Sequence, residues 1–427
     1  MRPAVDVIVV GAGAAGLAGA RALARKGRRV LVLEGRGRIG GRIQTIRTRG
    51  LALELGAEFV HGGNAPLWRA LRECGVGTRE VAQRHWRRSG GRLAAAGDLW
   101  ARVGGVMEAL GAARARGRSV GELWPKGRGR VPAEDLALAR RFIEGFEAAP
   151  LGRMSAVAMG SIGEEERQWR VIGGYDRLIA GLAAEVRRRG GEVRCGHRVR
   201  SIRWSRGRVA VDGIEARAVL VTVPLGLEAG IRFAPALAAR RRLRRLGLGH
   251  VRRVTLVFDR GLWRSRILPK PLRGAGGKRF GFVHADSGPA MFPTWWARGP
   301  DPVLVGWVGG PDADRLKGMT SAQVRAAAVR SLAAVLGARA AALRARLREF
   351  HSHDWTADPF ARGAYSYARA GWEDAPRKLA RPVAGTLFFA GEATADQEEL
   401  GTVHGAFASG LRAAREVEAA SRRWPRG

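Results

Sequence analysis

The first forty residues restrict the fold of this chain more than any later segment. Val5 to Val10, V-D-V-I-V-V, reads as a buried strand, Gly11-Ala12-Gly13-Ala14-Ala15-Gly16 is a glycine turn, Leu17 to Gly27 has helical spacing, and Arg28 to Gly35 reads as a second strand. In such a strand–turn–helix–strand unit, Gly11 allows the sharp turn, Gly13 lets the backbone approach a pyrophosphate, and Gly16 lets the helix pack closely. Ala15 sits in the same turn, among the residues expected against a cofactor. The unpaired N–H groups at the helix start, at the positive end of its dipole, then face the phosphates. Glu34 closes the second strand, where a carboxylate accepts hydrogen bonds from ribose hydroxyls and repels a 2′-phosphate. The expected ligand is therefore FAD or NAD rather than NADP.

Arg36 and the run Arg38-Ile39-Gly40-Gly41-Arg42 follow at once. Two arginines around a Gly-Gly pair place guanidinium groups beside a compact backbone that a phosphate can approach. Residues 34–42, E-G-R-G-R-I-G-G-R, resemble the second FAD motif of the flavin-containing amine oxidases and their desaturase relatives. Segments 53–62, 169–178, 218–224, 354–367 and 388–417 occur in the order seen in that family, so the resemblance covers nearly the whole chain. F-F-A-G-E-A-T followed by T-V-H-G-A-F-A-S-G is the most discriminating pair. T-V-H-G-A and G-A-Y-S-Y look more like the polyamine-oxidase and histone-demethylase branch than the monoamine-oxidase branch.

The resemblance implies an α/β protein: a discontinuous Rossmann-like FAD-binding domain with an inserted α+β substrate domain, the flavin ring lying at their junction. The expected division is FAD-binding segments at 1–67, 169–230 and 371–427, a helical part of the substrate domain at 68–168, and its sheet and helix at 231–370. Residues 98–149 have helical spacing, broken by W-P-K-G-R-G-R-V-P. A helix should open after Gly173-Gly174, strands at 192–204 and 218–224, an antiparallel sheet over 251–310, a helix over 321–337 stopped by Gly337, and a closing helix over 402–417.

Composition fits two domains: 427 residues exceed one simple core, and 46% are apolar. The formal net charge is +37, and only six of the 75 basic residues are lysine. The arginines are spread along the chain, and the densest run, Arg240 to Arg245, reads as the solvated face of a helix. No nucleic-acid partner is expected. Cys74 and Cys195 form no disulfide framework, and no metal-ligand spacing occurs. The first strand begins at Val5 and no run of about 20 apolar residues is present, so a cytoplasmic protein without a membrane segment is expected.

The resemblance also implies the chemistry. A hydride equivalent leaves the carbon beside a neutral amine for the flavin, the imine hydrolyses, and oxygen reoxidises the flavin to give hydrogen peroxide. Gly56, Ala57 and Glu58 in L-E-L-G-A-E-F-V-H-G, Pro224, Gly391 and Val403 are expected around FAD. Glu392 resembles the acid near the ribityl chain and phosphates, Val199 a position whose backbone meets the adenine, and Trp355 a tryptophan beside the flavin ring. Val199 and Trp355 read equally well as core residues. Thr402 stands where the monoamine-oxidase branch has a second tyrosine. Tyr365 matches the aromatic that stands against the flavin face and attracts a cationic amine. Ala364 replaces the cysteine that links flavin covalently in some relatives, so noncovalent FAD is expected. His61 and Glu58 are candidate amine contacts, with a structural role as the alternative for His61.

Arg253 departs from the family. It occupies the position of a lysine that reaches flavin N5 through a water, and arginine keeps its charge where lysine titrates. Arg253 could hold that water, slow oxygen reduction, or turn the protein into a dehydrogenase. The expected function is oxidation of a primary or secondary amine. The alternatives are a flavin desaturase or dehydrogenase on a non-amine substrate, and a protein that keeps FAD with catalysis lost. The positive charge suits a monoamine or an amino acid at least as well as a polyamine.

Overall fold

The computed structural model describes residues 4–125, 131–159, 167–237, 246–285 and 290–424. Its central sheet has five parallel strands in the spatial order Glu192–Arg194, Val30–Leu33, Val7–Val10, Ala218–Val221 and Leu387–Phe389. The four strands other than the edge strand Glu192–Arg194 are short apolar runs, as a sheet covered on both faces requires. Side chains alternate across it. Val7 and Val9 face a core with Phe388 of the same sheet and with Leu17, Leu182, Phe407 and Val417, supplied by the helices Ala14–Arg25, Asp176–Arg188 and Val403–Ser421. Ile8 and Val10 face the opposite core with Ile202, Val209, Val219 and Phe389. That second layer is a four-stranded sheet, Ile214–Ala216, Arg208–Val211, Ser201–Ser205 and Arg232–Ala234.

The first and last helices touch backbone to backbone. A Cβ on Gly410 would lie 2.1 Å from the Ala15 carbonyl oxygen, and one on Gly19 would lie 3.1 Å from the Gly410 oxygen. Within the glycine turn, a Cβ on Gly16 would lie 1.9 Å from the Gly11 oxygen. Glycine at these points sets how closely the ends of the chain can meet.

A seven-stranded sheet forms the other half, in the order Leu347–His353, Val251–Phe258, Val303–Gly309, Thr294–Ala297, Phe282–Ala285, His85–Ser89, Arg92–Ala95. Helix Ser321–Leu336 packs on it through Val324, Ala328 and Leu332. A Thr320–Gln323 capping box starts this helix and Gly337, at φ +65, ends it. Helices Leu99–Ala109 and Ala133–Phe146 share a core of Val103, Met107, Leu138 and Ile143.

Three features differ from the sequence expectation. Residues 68–168 are not wholly helical: the polar strands His85–Ser89 and Arg92–Ala95 extend the large sheet. The expected cut at 67/68 falls inside helix Ala65–Glu73, whose Leu67, Ala70 and Leu71 join the core of the parallel sheet. The cut at 230/231 separates strand Arg232–Ala234 from its parallel partner Ser201–Ser205. These elements are short and mostly polar or mixed, so their affiliation is decided by tertiary pairing rather than by period. The basic run 240–245 and residues 126–130 of the proline-bounded breaker lie outside the described residues. Among the described residues no single helix is long and apolar enough to cross a membrane.

Gly410→Ala should lower stability by about 1–3 kcal/mol, because a backbone carbonyl cannot step aside as a side chain can. Gly37→Ala, where an added Cβ meets nothing within 4 Å, is the control. Thermal denaturation of both variants checks this; an equal effect at the two sites would count against the contact.

Candidate active site

A cavity of about 500 Å³ runs from the carboxyl ends of the parallel strands to the seven-stranded sheet. Crevices at that end of an open parallel sheet are where nucleotides bind. Every residue expected around cofactor or substrate lines it except Gly16 and Arg38.

At the nucleotide end, helix Ala14–Arg25 starts with no side-chain cap and no acid in its first turn. A Cβ on Gly13 would meet nothing within 4 Å, so the space above the turn is open. Glu34 is buried; its Oε2 accepts from Ala12 N at 2.8 Å and its Oε1 from Arg36 N at 2.9 Å. These bonds aim the carboxylate while leaving lone pairs for a ribose. Uncapped amides, an open cradle and an oriented carboxylate suit a dinucleotide.

The arginines of the second motif divide their work. Arg36 makes a bidentate pair with Asp358 at 2.7 and 2.8 Å and lies over the rings of Trp355 and Phe360. Arg42 bonds the Ala364 carbonyl at 2.6 Å and Glu392 at 3.0 Å. Arg38 turns away from the cavity and ties the loop together through the carbonyls of Ile39, Gly41 and Ile43 and through Gln44. The expected phosphate contact at Arg38 is thus replaced by a loop clamp: the Gly40-Gly41 turn exposes carbonyls that need a donor.

Around the junction, Gly56, Ala57, Val199, Pro224, Trp355, Gly391, Thr402 and Val403 form the wall. Trp355 donates its indole N–H to the Leu55 carbonyl at 2.9 Å. Glu392 accepts from Ser366 through N–H at 3.2 Å and hydroxyl at 3.1 Å. Thr402 caps the closing helix by accepting from Gly405 N at 2.9 Å. Tyr365 donates its hydroxyl to the Phe146 carbonyl.

Arg253 is 4% exposed and points inward. Its Nη1 bonds the Gly56 carbonyl at 3.1 Å and its Nη2 pairs with Glu58 at 2.6 Å. Arg170 reaches the same carboxylate at 2.5 Å, Arg298 at 3.5 Å and the Trp296 indole N–H at 3.2 Å. Burial opposes ionisation of Glu58, but the charges of Arg253, Arg170 and Arg298 outweigh it and hold its pKa at about 2. Glu58 is therefore engaged by guanidinium groups, which corrects its candidacy as an amine contact. His61 lines the cavity as a neutral imidazole: burial, and then the nearby His404, lower its pKa to about 4.

Sequence reasoning missed several cavity residues. Leu138, Arg141, Phe142, Gly145 and Phe146 present one face of helix Ala133–Phe146 at helical spacing. Glu147 follows as the C-cap, and burial lifts its carboxyl to about 7. It has no ion pair or hydrogen-bond donor to its carboxylate among the described residues. An acid at a helix C-terminus, with no base in the last turn, opposes the helix dipole; that was the available signal. Four residues directly opposite one another across the large sheet, Arg253, Trp307, Thr294 and His284, also line the cavity.

A sequence profile described as flavin containing amine oxidoreductase matches residues 14–149 and 159–418. The chain belongs to this family. FAD is accordingly its cofactor. Similar proteins include lysine-specific histone demethylase 1 homolog 2 of Arabidopsis thaliana, 29% identical over 96% of this chain and 58% of that protein. Polyamine oxidase 1 of Oryza sativa subsp. japonica is 28% identical over 96% of each. The chain spans little more than half the length of the demethylase relatives it matches. Among solved structures, putrescine oxidase bound to putrescine superposes with a TM-score of 0.79 at 25% identity, covering 97% of this chain and 99% of that one. Cyclohexylamine oxidase from Brevibacterium oxydans IH-35A gives 0.81 at 20% identity, covering 99% and 100%, a likeness of fold.

Glu58→Gln should destabilise the protein by about 3–5 kcal/mol, since three buried guanidinium groups lose their shared counter-charge. Urea denaturation of the variant checks this; a loss below about 1 kcal/mol would show that the cluster is solvated and not paired.

Proposed function

We propose that this protein oxidises a small amine to an imine, with oxygen reduced to hydrogen peroxide. The observation that carries this reading is Glu147. It is the carboxylate in the cavity wall without a partner among the described residues, and it stands close enough to Tyr365 for its charge to raise the tyrosine pKa further, after burial. The other carboxylates there are engaged: Glu34 by amides, Glu58 and Glu392 by arginines, Glu144 by Arg140 and Leu151 N, and Asp312 by Arg315. An unpaired carboxylate beside aromatic faces is a receptor for an ammonium group. The names of the polyamine and putrescine oxidases among the similar proteins agree with this class of substrate.

Bound FAD supplies the acceptor for the hydride that leaves the α-carbon. The residues of this chain do the rest. Glu147 draws in the ammonium, and its raised pKa suits it to take the amine proton, which frees the nitrogen lone pair. Tyr365, fixed through its hydroxyl on Phe146, holds the amine against the reacting face. Trp296, Trp307, Phe282 and Phe142 exclude water around the substrate body. Arg253, bound to Gly56 and Glu58, keeps a charge that does not titrate. A flavin dehydrogenase is the second reading, favoured by arginine at this place. Anaerobic bleaching of the flavin by an amine panel tests the amine reading, and stoichiometric peroxide on admitting air separates oxidase from dehydrogenase. Absence of bleaching with every amine would overturn both amine readings.

Glu147 predicts a pH dependence. The logarithm of kcat/KM for an amine should rise through an apparent pKa of about 7, and Glu147→Gln should abolish that limb and raise KM by about tenfold or more. Stability should move the other way. The folded pKa lies above the unfolded one, so the folded state holds the extra proton. Stability is full below the unfolded pKa and falls as pH rises toward 7. Glu147→Gln should therefore have the higher Tm near pH 8 and no advantage near pH 4. A pH-independent Tm difference would show that the carboxyl is solvated.

A further inference from the structure

We propose that a chain of uncharged hydrogen-bonding groups, Gln83–His85–His284–Thr294, is the far wall of the substrate cavity. It would bind an uncharged polar group, an amide or a hydroxyl, at the end of the substrate opposite its amine. This inference rests on the amine reading above and names the substrate class within it.

The geometry starts with the sheet. Arg253 opposes Trp307, Trp307 opposes Thr294, and Thr294 opposes His284, so the four side chains lie in one row on one face. Three strand spacings separate the ends of this row, roughly 14 Å. Arg253 marks the end beside Gly56 and Glu58, and His284 marks the other. His85 comes from the next strand and stacks on His284 with ring centroids 5.4 Å apart.

The four groups are linked. His85 Nδ1 and His284 Nε2 are 3.1 Å apart, His85 Nε2 is 3.3 Å from Gln83 Oε1, and His284 Nδ1 is 3.3 Å from Thr294 Oγ1. With the Gln83 oxygen accepting from His85 Nε2–H, His284 must donate to His85, and Thr294 must donate to His284. Turning the Gln83 amide reverses every bond and frees the Thr294 hydroxyl proton to face the cavity. The row therefore offers a donor or an acceptor, according to the ligand, without acquiring charge. The buried Gln83 Nε2 finds no acceptor among the described residues, which leaves a donor at this end.

The surroundings disfavour a second ammonium. Arg141 lines the same region and donates to the carbonyl of Ala285, next to His284, at 2.7 Å. Both imidazoles are held neutral by burial, His284 also by His85, with pKa values of about 4 for His85 and about 3 for His284. Trp100 and Phe282 pack against His85, so the approach is aromatic. A diamine would place its second charge beside Arg141 among neutral rings, whereas an amide or hydroxyl would find partners.

The test compares four substrates of equal chain length with the FAD-loaded protein under anaerobic conditions: an alkyl monoamine, the diamine, the ω-amino alcohol and the ω-amino amide. The amide and alcohol should show KM values at least about tenfold below the diamine. His284→Leu should erase that preference, raising KM for the amide and the alcohol at least about fivefold more than KM for the alkyl monoamine, and His284→Gln should restore part of it. A diamine preferred by the wild type, or an equal KM change for all four substrates in His284→Leu, would overturn the proposal. A second measurement is independent of turnover. Calorimetry with an N-alkyl amide that carries no amine should show binding to the wild type and loss in His284→Leu. That result would support the far wall even if no amine bleached the flavin, which would defeat only the amine reading; no binding to the wild type would overturn the far wall itself.

Discussion

A carbonyl at Ala15 and a missing side chain at Gly410 set how closely the two ends of the chain approach. The strand Leu387–Phe389 pairs with Ala218–Val221 in the parallel sheet, and the helix that follows it, Val403–Ser421, packs backbone to backbone on helix Ala14–Arg25. The cavity depends on that closure. Its floor is made by the turns that follow Val10, Leu33, Val221 and Phe389, which come from three separate stretches of sequence. A cofactor bridging these turns would bind the closed form alone and so stabilise it.

Charge is the second organising constraint. In a chain so rich in arginine, buried carboxylates are scarce partners, and each holds particular groups together. Asp358 takes Arg36, Glu392 takes Arg42, Glu185 takes Arg21 and Arg25, and Glu58 takes three guanidinium groups at once. Arg21 and Arg25 also pair with Glu73 and so tie helix Ala65–Glu73 to the first helix. Against this background an unpaired acid in the cavity is conspicuous. Among the described residues Glu147 has no partner for its carboxylate, and the cost of burying it is carried by a raised pKa.

The first unit was readable because local pattern and long-range role coincide there: apolar runs, glycines with distinct steric duties, and an acid at the strand end. The antiparallel strands over 251–310 and the helix ended by Gly337 were readable from period and cap for the same reason. Glu58, Glu147 and the histidine pair were not. Glu58 reads as a candidate cofactor or amine contact until Arg170 and Arg298 arrive from segments distant in sequence. His85 sits in a polar strand with weak alternation, and its partner is 199 residues away. The row from Arg253 to His284 exists only once the register of four strands is known, because one slipped residue would turn each side chain to the other face. Arg38 shows the opposite failure, a motif residue whose donors are taken by its own loop.

The central claim is that the three stretches close around one noncovalent FAD, and acid precipitation of the purified yellow protein measures it most directly. The account predicts one FAD per chain in the supernatant and a colourless pellet. A colourless protein that takes up no added FAD, or flavin that stays with the precipitated chain, would contradict it.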